Sequence, residues 1–183
     1  IHGAYRHYFS CPWHRHRSAF SCLHWRVFRP LDCGRGARFI RYATAKRFQL
    51  PEEVKPWKGV KEAGSYGFIC PTLKKDEPNG EIMIPHRYWP QDEDCLNLNI
   101  WTKSLDKDMK MPVIVWFHGG GFSTGSSIEQ KAYNGANMSK YGDVVVVTVN
   151  HRLNILGYFD LSAYGEKYAN SANAGQEDLI AAL

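Results

Sequence analysis

The 183-residue sequence is short of several features that would place it quickly. It has no apolar run of the ~18 residues needed for a membrane-spanning helix, so none is expected. Its five cysteines include no pair at C-x2–4-C spacing. Cys11, Cys22 and Cys33 stand among His7, His14, His16 and His24, yet that leaves no structural zinc signature, and no metal site is expected. No internal repeat is visible, and the first residues lack the apolar stretch of a secretory signal.

Lysine is missing from residues 1–38, which hold seven arginines and one acid, Asp32, for a net +6. Residues 39–183 carry 16 basic and 17 acidic side chains, with twelve lysines to four arginines. The overall +5 therefore belongs to one end, and a nucleic-acid module would rest on that end alone. No nucleic-acid partner is expected. The same end holds five of the eight histidines and shows neither helical nor alternating periodicity. It reads as an unmatched extension, poorly ordered or wrongly joined, ahead of a single domain over residues 39–183. With 44% hydrophobic and 14% aromatic residues, the chain can build a real core.

Within that domain, residues 47–84 are rich in proline, glycine and charge and read as an irregular wrapping segment with short strands. Phe48, Trp57, Tyr66 and Phe68 are expected to pin it to the core. Residues 95–101 alternate Leu96, Leu98 and Ile100 with Asn97 and Asn99, which predicts a strand with one buried face. The runs "PVIVWF" at 112–117 and "VVVVTV" at 144–149 do not alternate and predict strands buried on both faces. A short helix is expected over 133–140, making the two runs adjacent parallel strands. The fold class is α/β. Asn173 is placed to cap a final helix with Glu177 and Asp178 in its first turn.

The chemistry concentrates in "VWFHGGGFSTGSS", residues 115–127. Gly121-Phe122-Ser123-Thr124-Gly125 fits the G-x-S-x-G of a serine nucleophile, whereas His118-Gly119-Gly120-Gly121 fits a loop that donates hydrogen bonds to an oxyanion. Three glycines without Cβ atoms let backbone N–H groups approach a negative charge closely. A phosphate is disfavoured: Gly120, Gly125 and Ser127 have phosphate-loop spacing, but Ser126 stands where that loop needs lysine. No cofactor is expected. A plain tight turn is the remaining reading.

Ordered blocks surround this loop: "RFQLPEEVKPW", "YGFICP", "EDCLNLNIW", "PVIVWFHGGGFSTGS", "DVVVVTVNHRLNILGYF" and "NAGQEDLIAAL". In that order the chain resembles the type-B carboxylesterases over about 145 residues. The resemblance implies the N-terminal part of an α/β-hydrolase fold, a truncated and mostly parallel mixed sheet. It implies hydrolysis of small-molecule carboxylic esters by a serine, histidine and acid triad. The glycines matching the family's oxyanion donors are Gly120 and Gly121. The family's nucleophile motif lies beyond the "NAG…AAL" helix, so Ser123 belongs to the loop and its motif match is coincidental. His118 belongs to the loop, and His151 stands where the family often has tyrosine, so neither is expected to be the base. Nucleophile, acid and base are therefore expected to be absent from this chain, leaving it inactive alone.

Cys70 and Cys95 match positions joined by a disulfide in secreted animal members. Such a bond would close a loop of about 25 residues and add roughly 3 kcal/mol by loop entropy. Two buried thiols is the competing reading. A non-catalytic esterase-like binding or adhesion domain is the alternative function, though three adjacent glycines argue for an oxyanion to bind.

Overall fold

The computed structural model describes residues 36–57, 63–72, 86–106 and 108–183. The readings made for residues 1–35 thus lie outside the described residues, while residues 36–38 open the first strand. A four-stranded sheet runs β1 (Gly36–Arg41), β4 (Asn97–Trp101), β6 (Val145–Val149), β5 (Val113–Phe117) in spatial order. β4 pairs antiparallel with both β1 and β6, and β6 pairs parallel with β5. A small ribbon joins β2 (Ala43–Thr44) to β3 (Glu52–Glu53).

Between the two parallel strands, a 3-10 turn at Lys131–Tyr133 leads into α1 (Ala136–Gly142), so the expected helix starts later and is shorter. α2 (Asn154–Tyr158) and α3 (Ala174–Ala182) follow β6. Asn173 stands at the N-cap of α3, but its side chain makes no capping bond. A preceding 3-10 turn, Ser171–Asn173, already delivers the chain in helical register. Glu177 is in the first turn of α3, whereas Asp178 is drawn inward.

Two strand readings are corrected. β4 is buried on both faces, because Asn97 and Asn99 turn into the protein and are hydrogen-bonded there. Asn97 Nδ2 donates to the Phe68 carbonyl at 2.8 Å, and Asn99 Nδ2 donates to Ser127 Oγ at 3.1 Å and Thr148 Oγ1 at 3.2 Å. Buried amides are tolerated when paired in this way. β5, expected to be covered on both faces, is an edge strand whose Val113, Ile114, Trp116 and Phe117 are exposed. The hydrophobic run marks the strand but says nothing of its place in the sheet. The core lies instead around β1, β4 and β6, with Leu96, Leu98, Ile100, Val147, Val149 and Leu153 inside.

The wrapping segment is pinned by ring contacts, Phe48 against Phe159 at 6.4 Å and Tyr66 against Trp89 at 5.8 Å between centroids. Trp57 and Phe68 remain more than a third exposed.

Candidate functional site

The loop of residues 118–127 leaves the end of β5 and climbs to an exposed crest at residues 119–123 before returning to a buried base at 125–128. Its backbone requires glycine twice. Gly120 has φ of +127°, and a Cβ there would lie 2.0 Å from the Thr124 carbonyl oxygen. Gly125 has φ of +103°, and a Cβ would lie 2.4 Å from the Gly119 oxygen. Phe122 also takes a left-handed conformation, φ +59°, an unusual state for a bulky side chain. Its carbonyl oxygen accepts from Asn154 N at 2.7 Å, and its ring meets Tyr158 edge-on at 5.2 Å.

The crest separates acceptors from donors. The Gly120 carbonyl accepts from the amides of both Ser123 and Thr124 at 3.1 Å. Among the described residues, the amides of Gly120 and Gly121 donate to no acceptor. Ser123 Oγ donates to the Gly121 carbonyl at 3.2 Å. No hydrogen bond among the described residues links a serine hydroxyl to an imidazole. The Ser127 of the phosphate-like spacing is fully buried, with its amide donating to Asn150 Oδ1 at 2.8 Å, and so faces away from the crest.

Beneath the crest two histidines stack. The rings of His118 and His151 lie 4.8 Å apart at 31° and are 8% and 4% exposed. His118 Nδ1 is 2.9 Å from the Gly119 carbonyl oxygen. Burial holds the His118 pKa below the usual imidazole range, opposed by that carbonyl and the charge of Glu129. Burial, and then the proximity of His118, push His151 down to about 3. Both rings are neutral at pH 7. The position of His151 departs from the tyrosine the resemblance leads one to expect, and only the fold brings it against His118.

Cys70 and Cys95 are buried and stand as free thiols. The neighbouring Cys70 thiol and burial push the Cys95 thiol well above its ordinary range. Cys70 Sγ also accepts from Leu153 N at 3.1 Å, and Asn154 Nδ2 donates to the Pro71 carbonyl at 2.7 Å. The cysteine segment thus touches the same backbone that holds Phe122. No group of three or more metal-ligating side chains gathers among the described residues.

The sequence model of the carboxylesterase family matches residues 38–183. The chain belongs to the carboxylesterase family. It is 37% identical over 138 residues to the para-nitrobenzyl esterase of Bacillus subtilis, covering 75% of this chain and 26% of that protein. It is 39% identical over 145 residues to the medium-chain fatty acyl-CoA hydrolase precursor of Anas platyrhynchos, covering 75% and 24%. Among solved structures, an esterase from Clostridium hathewayi described as hydrolysing aliphatic aromatic polyesters is 73% identical. The match has a TM-score of 0.77 and covers 81% of this chain and 30% of that one. The Geobacillus stearothermophilus carboxylesterase EST55 is 37% identical with a TM-score of 0.70, covering 84% and 30%. The sheet is accordingly part of an α/β-hydrolase fold, and the chain spans about a quarter of the length of the curated relatives it matches.

Proposed function

We propose that this chain carries the oxyanion loop of a serine carboxylesterase, with the Gly120 and Gly121 amides as donors to the oxygen that becomes negative when an ester carbonyl is attacked. The observation that carries this reading is the asymmetry of the crest. Its carbonyl is bound by the turn, while its two glycine amides are uncommitted in a loop that a Cβ would obstruct. Such donors act on charge that exists only in the tetrahedral state, and each is worth on the order of 10²–10³ in rate.

The nucleophile, acid and base lie outside this chain in our reading, and the chain alone is inactive. Support comes from Ser123, which bonds back to its own loop, and from His118 and His151, whose burial and depressed basicity suit neither to take a proton near neutral pH. The substrate is a small-molecule carboxylic ester or an aliphatic aromatic polyester; the latter rests on the 73% identity to the Clostridium hathewayi esterase.

The purified chain is expected to show no turnover of p-nitrophenyl acetate. Turnover that disappears in Ser123→Ala would overturn both the loop assignment and the missing triad. In a longer protein containing this chain together with a serine elbow, Gly120→Ala, whose Cβ would lie 2.0 Å from the Thr124 oxygen and force the crest to turn, is expected to lower kcat by roughly 10²-fold with KM little changed, because the displaced amides no longer meet the charge of the transition state. A raised KM at constant kcat would remove the oxyanion role.

A further inference from the structure

We propose that His151 is a positioning residue. Its ring, stacked on His118, holds that imidazole in the plane and tautomer that donate Nδ1–H to the Gly119 carbonyl, and so sets the direction of the Gly120 amide. The proposal rests on the oxyanion reading for its catalytic consequence, but its geometry stands apart from it.

The chain of cause is short. A carbonyl oxygen only accepts, so at 2.9 Å the His118 Nδ1 must carry the hydrogen, and the neutral ring then leaves Nε2 bare. The Gly119 C=O and the Gly120 N–H belong to one rigid trans peptide plane, in which they point in opposite directions. Pulling the oxygen down onto the buried His118 therefore turns the Gly120 N–H up toward the exposed crest. Gly125 leaves room for this bond, because a Cβ there would meet both the Gly119 oxygen at 2.4 Å and His118 Nδ1 at 2.6 Å.

On its other side the His118 ring is backed by His151, which is itself held on both flanks. Asn150 receives the Ser127 amide on its side chain and donates to Asn97, and Arg152 is locked to Asp178. His151 Nδ1 is buried and has no hydrogen-bond partner among the described residues, so ring contact is what this side chain contributes there. Glu129 is the charged group that acts on His118, and His118 is the titratable group that acts on His151. A wall that holds a neighbouring ring by contact should be replaceable by another aromatic ring and not by a methyl group.

The test is imidazole ¹⁵N NMR on the isotope-labelled 183-residue chain near pH 7, together with the Gly119 carbonyl ¹³C shift. The expected result is a fixed Nδ1–H tautomer at His118, retained in His151→Phe and averaged between tautomers in His151→Ala, with the Gly119 shift moving only in the alanine variant. An Nε2–H tautomer in the wild type overturns the proposal by itself, even if the alanine variant fails to fold; so does an unchanged tautomer in a folded His151→Ala. In an active protein that contains this chain, His151→Ala is expected to lose about ten- to a hundredfold in kcat at constant KM, with His151→Phe restoring it. A changed tautomer with unchanged kcat overturns the positioning role. A fixed tautomer in a longer protein that carries this chain together with a serine elbow, yet hydrolyses no ester, would sink the oxyanion reading and leave the ring assignment standing.

Discussion

Arg152 and Asp178 grip each other through two charge-assisted bonds, Nε to Oδ2 at 2.8 Å and Nη2 to Oδ1 at 2.6 Å, with side chains 4% and 0% exposed. The Asp178 Oδ2 also accepts the Arg152 amide at 3.0 Å, and Arg152 Nη1 reaches the Gln49 carbonyl at 2.7 Å. One ion pair thereby ties α3, the turn after β6 and the wrapping segment together.

Breaking that pair strands a buried cation. Asp178→Asn, which keeps the size and removes the charge, is expected to destabilise the chain by about 3–5 kcal/mol. Urea unfolding of the two proteins measures it; a loss below 1 kcal/mol would mean the guanidinium finds water or another partner.

The histidine stack should make stability depend on acid. In the unfolded chain each imidazole titrates near its ordinary value of about 6.5, while in the folded protein both are held lower, His151 to about 3. Below about 6.5 the unfolded state binds protons that the folded state refuses, so stability falls as pH drops. His151 contributes up to about 1.4 kcal/mol per pH unit between about 6.5 and about 3, and His118 acts in the same direction. Unfolding midpoints at pH 7.5, 6 and 5 should fall in that order, and His151→Phe should flatten the slope.

Edge strand β5 presents exposed Val113, Ile114, Trp116 and Phe117 beside unpaired backbone, a surface prone to edge-to-edge pairing. Val113→Lys is expected to reduce concentration-dependent light scattering without changing the circular dichroism spectrum. Equal scattering would place the sticky surface elsewhere.

The Cys70 and Cys95 thiols are buried, and a thiol reacts through its ionised form. Alkylation under native conditions should modify both slowly and in denaturant rapidly, read by peptide mass. Cysteine peptides that resist alkylation in denaturant and take the label only after reduction would show a disulfide instead.

Much of this was legible from local pattern. The apolar runs at 112–117 and 144–149 mark the two parallel strands, and the three glycines mark the loop between sheet and crest. What period-2 alternation could not show is that Asn97 and Asn99 face partners rather than water, because those partners, Thr148, Ser127 and Asn150, arrive from far along the chain. Position in the sheet was equally hidden, since residues 113–117 look the same whether a strand lies beyond them or not. The His118–His151 stack and the Arg152–Asp178 pair left no periodic trace; the first needs the ends of β5 and β6 side by side, and the second needs α3 folded back onto the turn after β6.

The tie from Asn154 to both the Phe122 and Pro71 carbonyls has a kinetic consequence. Residues 71 and 154 are 83 positions apart, so the crest cannot take its final shape until a long stretch of chain has been closed, an entropic toll that local contacts do not repay. During synthesis the glycine segment leaves the ribosome well before its anchor does, and the donors are aimed only once residue 154 has emerged and docked.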